Sequence, residues 1–350
     1  MTDFKTHILE HLNKYPRLEI EDVFKFIYQG AFGCEHMISN LDTVTERIEN
    51  EYADGINSDA TLIEILSDKY CRVHLSYISE GLSFSTLGKL FYLSAKKEEN
   101  GIEVLEAMLD ITSELILEGL LPFSYEEFTE KASDWKKQIY CSLHHSSTFR
   151  ELYKPKYRVI STEYLKFISL FAKIDKLLSK GKLTLAIEGG SASGKSTLAS
   201  LLSNIYDATV FHMDDFFLTP NMRTAERLNE VGGNVDRERF LDEVLVPLSK
   251  NQQILYRAFD CSRGDFKEGI VTSPKNLVVI EGAYSMHPDL AKYYDFSVFL
   301  DIGQEKQRER ILKRNSPNFA SRFFNEWIPY ENRYFEKTDI KNRCDLIINI

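Results

Sequence analysis

The sequence predicts a mostly α-helical domain followed by an α/β domain, in which a parallel sheet carries helices on both faces. Two observations lead there. Five short apolar runs, LTLAIE (183–188), ATVFHM (208–213), NLVVIE (276–281), DFSVFLDI (295–302) and DLIINI (345–350), alternate with helix-like segments, as buried parallel strands do. Residues 1–160 instead carry apolar side chains at helical spacing and no convincing run of alternating strands.

In the first part, Val23, Phe24, Ile27 and Tyr28 recur along EIEDVFKFIYQG at helical spacing. Val104, Leu105, Met108 and Leu109 form a stripe in GIEVLEAMLDITSELILEG that stops at Gly119. Residues 161–182 read as an amphipathic linking helix ending at Gly181, which leaves 183–350 as the second domain. Of the 350 residues, 43% are apolar and 27% charged, close to a soluble globular average. No apolar run reaches 18 residues, and MTDFKTHILEHL lacks the apolar core of a secretory leader, so no membrane partner is expected. The five cysteines are scattered without a CxxC pair, which suggests reduced thiols in a cytoplasm. A net charge of −10 gives no general attraction to nucleic acid.

The stretch EGGSASGKST follows an apolar run and opens a helix-like segment. Gly189, Gly190, Ser191, Ala192, Ser193, Gly194, Lys195 and Ser196 match G-x-x-x-x-G-K-[ST], and Thr197 follows as a further nucleotide-binding candidate. The glycines let the backbone curl so that successive N–H groups face a phosphate, and the helix start adds positive potential. Lys195 can reach the β- and γ-phosphates, and the Ser196 hydroxyl can complete a Mg²⁺ shell. The expectation is a P-loop nucleotide-binding fold; the plain alternative is a Gly/Ser-rich strand-to-helix turn. HMDDFF adds Asp214 and Asp215 at the end of a strand expected beside the phosphate-loop strand, where a carboxylate could take a proton from an alcohol. Glu281 ends NLVVIE before Gly282 and could hold Mg²⁺. Taken alone, these acids could equally be solvated turn or capping residues.

LAIEGGSASGKSTLA, HMDDFF, VVIEGAY and an arginine-bearing segment follow one another in an order that resembles the uridine kinase and phosphoribulokinase group of P-loop kinases, over about residues 180–350. The resemblance implies ATP and Mg²⁺ as cofactors and a small-molecule acceptor, nucleoside-like or another small polyol. It implies Asp214 as the base, Asp215 in a secondary role near Mg²⁺ or substrate, and Ser196 and Glu281 at the metal. It also implies that Asp236, in GGNVDRERF, grips acceptor hydroxyls, and that Tyr256 and Asp260, in YRAFDCSRG, lie beneath the acceptor. In QRERILKRNSPNFASRF the family's lid arginines correspond to Arg310 and Arg314, four apart on one helix face; a solvated basic face is the alternative. Relatives form dimers and tetramers, which leaves a homo-oligomer open. Two other readings stay open: a kinase for a larger phosphorylated acceptor, and a nucleotide-dependent regulator whose first half is an interaction module.

The first half offers one polar constellation. Glu35 and His36, Arg72 and His74, and His144, His145, Ser146, Tyr153, Lys154, Tyr157 and Arg158 could converge on a pocket for an anion or for acid–base chemistry. Buried capping and interhelical hydrogen bonds would use the same residues. The spacing fits no zinc motif, because HExxH is absent.

Overall fold

The computed structural model describes residues 2–34, 40–56, 61–95, 98–260 and 262–350. The chain forms two compact units, Met1–Asp175 and Lys176–Ile350.

The first unit contains helices α1 (Thr2–Lys14), α2 (Ile20–Phe32), α3 (Leu41–Ala53), α4 (Phe84–Ser94), α5 (Gly101–Leu117), α6 (Tyr125–Lys137) and α7 (Ser147–Tyr153). Of the stripe expected on α5, Leu105, Met108 and Leu109 are buried and Val104 is half-buried. The unit also holds a sheet that the sequence did not announce. Strands β1 (Ile63–Ile65), β2 (Tyr70–His74) and β3 (Tyr157–Ser161) pair antiparallel in the order β1-β2-β3. The reason is visible in β2: all five residues of YCRVH are buried, including Arg72 and His74, so no apolar/polar alternation marks the strand. Helix α8 (Ile168–Leu178) carries the boundary between the units, and the segment ahead of it, Thr162–Phe167, is a tighter 3₁₀ turn rather than the start of the expected helix.

The second unit is built on strands β4 (Leu183–Gly189), β5 (Thr209–His212), β8 (Leu277–Glu281), β9 (Phe296–Asp301) and β10 (Leu346–Asn349), with β6 (Ile254–Asp260) and β7 (Asp265–Thr272) forming a separate antiparallel hairpin. The five strands are parallel in the order β10-β9-β4-β8-β5. β8 is buried at all five positions, as a central parallel strand must be. The strand leading into HMDDFF is therefore not the neighbour of the phosphate-loop strand: β8 lies between β5 and β4, with Glu281 in register with both His212 and Ile187. Chain order reverses around β4, so the crevice at its carboxyl end is where an open α/β sheet binds ligands. Helix α9 (Lys195–Tyr206) follows β4 through the loop of residues 190–194.

Candidate active site

The loop between β4 and α9 owes its path to glycine. Gly189 has φ +147°, and a Cβ there would fall 2.6 Å from the Leu300 carbonyl oxygen on β9, so only glycine lets β4 turn this close to its neighbour. Gly282, at φ +146° after β8, is similarly placed: a Cβ there would fall 2.6 Å from Met213 Cβ. Lys195 Nζ arches back over the loop and donates to the carbonyls of Gly189 and Gly190 at 2.8 and 3.0 Å. Ser196 and Thr197 remain solvent-accessible at the start of α9.

A cavity of about 600 Å³ opens over this loop. Lys195, Ser196, Thr197, Asp214 and Glu281 line it together with Arg223, Arg314 and Arg322. Ser196 Oγ donates to Glu281 Oε1 at 3.0 Å, and His212 Nδ1 stands 2.5 Å from the same oxygen. That pairing is the main cause that pushes the His212 imidazole above its ordinary pKa. A Mg²⁺ octahedron with bonds of about 2.0–2.1 Å has adjacent oxygens roughly 2.9 Å apart. The Ser196 hydroxyl and Glu281 carboxylate, 3.0 Å apart, fit one edge of it. Asp214 sits in a turn (Met213–Phe216) at the end of β5 and keeps contact with solvent through the cavity. The crowding of protein around it pushes its carboxyl above the usual range; Lys195 opposes this shift and Glu281 adds to it.

The remaining expected residues divide. Ala192 and Gly194 line the cavity with the loop, but Arg310 and Arg314 separate. Arg310 donates to the Ala192 carbonyl at 3.0 Å and so braces the loop, whereas Arg314 faces the cavity near Phe323. Asp215 lies outside the lining; its backbone carbonyl accepts from Arg239 at 3.0 Å. Burial and then the charge of Asp215 push the Tyr256 phenol up to about 12, and Tyr256 stacks on Phe216 in the core. Asp236 is buried and accepts from the Arg239 N–H at 3.1 Å as the N-cap of the short helix Arg237–Phe240. Its neighbour Asn234 lines the cavity, and Asp236 does not. Asp260 closes the β6–β7 turn by accepting from Ser262 N–H and Oγ–H at 2.9 and 2.6 Å, away from the cavity.

Two acids beneath the loop carry no motif. Glu188, fully buried at the end of β4, accepts from the N–H groups of Gly189 (2.9 Å), Tyr284 (3.2 Å) and Met286 (3.0 Å) and from Tyr334 Oη (3.2 Å). It ties the loop to the turn after β8, and burial pushes its carboxyl up to about 7. Glu331, on helix Ile328–Thr338, accepts from Ser191 N–H at 2.8 Å and Ser191 Oγ–H at 2.6 Å. Glu188 opens EGGSASGKST, and its place directly before Gly189 is the one sequence signal that marks it. Nothing near Glu331 in sequence signals its role.

Neither a protein-family model nor a curated protein sequence matches the chain. Solved structures similar to its C-terminal half include uridine kinase-like and related P-loop kinases. One, described as a possible uridine kinase from Bacillus stearothermophilus, is 24% identical, covers 51% of this chain and 98% of its own, and has a TM-score of 0.39. D-glycerate 3-kinase from Cryptococcus neoformans is 15% identical over 48% of this chain and 86% of its own, with a TM-score of 0.37. Shikimate kinase from Aquifex aeolicus is 20% identical over 48% and 85%, with a TM-score of 0.26.

Proposed function

We propose that the second unit is a phosphotransferase that moves the γ-phosphoryl group of ATP onto a hydroxyl of a small molecule, nucleoside-like or another small polyol. The observation that carries this reading is the gathering of Lys195, Ser196, Asp214 and Glu281 in one cavity with Arg223, Arg314 and Arg322.

Each group has a part that follows from its chemistry. The loop amides and Lys195 hold the triphosphate, because fixed N–H donors and an ammonium at a helix start favour negative charge. Lys195 exchanges its bonds to the Gly189 and Gly190 carbonyls for phosphate oxygens. Ser196 and Glu281 would hold Mg²⁺, which when bound neutralises charge on the transferring phosphates. Asp214 orients the acceptor hydroxyl and takes its proton; a carboxyl raised above the usual range is the stronger base for that step. Arg314, with Arg223 and Arg322, supplies fixed positive charge where the transition state spreads negative charge. Arg310 braces the loop from outside.

The test is transfer from γ-labelled ATP with Mg²⁺ across a panel of nucleosides, vitamins and sugars. Label on one organic product supports the reading and names the acceptor. Label released only as inorganic phosphate, whatever compound is present, refutes it and favours a slow nucleotide-dependent regulator.

A further inference from the structure

The first unit carries an open pocket of about 210 Å³, separate from the phosphate loop, and its lining includes Lys25, Arg47, Glu51, His145, Tyr157 and Arg158. Of the residues expected to converge, His145, Tyr157 and Arg158 do so here; His144 and Lys154 are exposed, and Glu35 and His36 lie outside the described residues.

The charges in this cavity do not balance. Glu51 is committed to Arg158 through two bonds of 2.8 and 3.0 Å. Lys25 is half-buried and donates to the Leu143 carbonyl at 2.7 Å, a neutral partner, and among the described residues no carboxylate lies within ion-pair distance of it. Arg47, exposed at the rim, is likewise in no ion pair among the described residues. The nearby acid Asp22 spends its oxygens on His145 Nδ1 (2.9 Å) and on Ser146 N–H (3.0 Å) and Oγ–H (2.6 Å), and its charge offsets only part of what burial costs Lys25. A cation withdrawn from water without a paired counter-ion is costly, so the lysine gives way: burial, and then the charge of Arg72, pull its amine down to about 8.

The polar wall is held from behind. Arginine only donates, so the two bonds from Arg72 to Gln29 Oε1, at 2.9 and 2.7 Å, fix that amide with its oxygen toward Arg72. Gln29 itself borders the cavity, and among the described residues its NH₂ group is given no acceptor. Asp22 accepts only, so His145 carries its proton on Nδ1, and its Nε2 accepts from Tyr157 Oη at 2.6 Å. This chain locks the Tyr157 ring, over which the Arg72 guanidinium stacks at 4.5 Å. Val44, Phe91 and Pro155 supply an apolar side.

We propose that this cavity binds a small organic oxyanion, a carboxylate or a phosphate monoester, held by Lys25, Gln29 and Arg47 with its carbon portion against Val44 and Phe91. An anion there supplies the paired charge that Lys25 lacks among the described residues and can accept from the Gln29 amide.

The experiment is residue-resolved acylation of lysine amines in the full chain at pH 8, read by mass spectrometry, with inorganic phosphate or succinate as the probe. Lys25 should react ahead of ordinary lysines, because more of its amine is neutral at that pH. Protection of Lys25 by phosphate indicates a phosphate site, and protection by succinate a carboxylate site. The exposed Arg47→Ala replacement should raise the probe concentration for half-protection roughly ten- to a hundredfold. Protection of Lys195 in the same spectra reports the phosphate loop separately, so binding at one site is not mistaken for binding at the other. Lys25 left unprotected by both probes, or protected equally well in Arg47→Ala, overturns the proposal.

Discussion

Replacing Gly189 by alanine should damage the second unit more than any other single methyl group in the loop. The backbone at φ +147° is a region that side chains avoid, at a cost of about 1–3 kcal/mol. The added Cβ would stand 2.6 Å from the Leu300 carbonyl oxygen and 3.0 Å from Ser193 Oγ. Relieving that overlap means shifting the backbone of β9 or the loop, about another 1–3 kcal/mol. The sum, roughly 2–6 kcal/mol, should lower the melting temperature of a unit of this size by about 4–24 °C. The carbonyl that anchors Lys195 moves with it, so ATP binding should fall too. Calorimetry of the full chain checks this, with Gly303→Ala as the control: Gly303 has an ordinary φ of −64°, and a Cβ there meets nothing within 4 Å. Gly189→Ala melting within about 1 °C of wild type would refute the close-approach argument.

Two further predictions separate roles that the sequence alone could not. Arg314→Ala should lower kcat by about 10²–10³ with little change in KM for ATP, while Arg310→Ala, by loosening the Ala192 carbonyl, should chiefly raise that KM; identical kinetic defects would contradict the division. The Glu188 carboxyl, at about 7 in the folded unit against an ordinary 4.5, keeps a proton that the unfolded chain has released between those values. The folded state is therefore favoured fully below pH 4.5, and the advantage, at most about 3 kcal/mol, is lost as pH rises through 7. Urea midpoints from pH 5 to 8 should show wild type losing stability relative to Glu188→Gln; a gap that does not vary with pH rules this out.

What could be read from the sequence followed from how each residue's role is encoded. The phosphate loop and the five apolar strands are local: a glycine turn, a lysine and short apolar runs specify themselves within ten residues. Strand order is not local, and the insertion of β8 between β4 and β5 was missed because the apolar runs carry no neighbour information. Asp236 and Asp260 had the right residue type in a resembling stretch, yet a helix cap and a hairpin turn engage both. Glu331 lies 140 residues from the Ser191 it holds, and no spacing rule spans that separation. In the first unit the polar constellation was visible as composition, but the sheet that arranges it was hidden by the complete burial of a strand bearing Arg72 and His74.

The most direct test of the central claim is Asp214→Asn, assayed for both ATP binding and phosphoryl transfer. Asparagine keeps the size and loses the base, so binding should persist while transfer to the acceptor falls by about 10²–10⁴. Transfer at the wild-type rate, or an unchanged slow release of inorganic phosphate in both proteins with no acceptor labelled, would contradict the account.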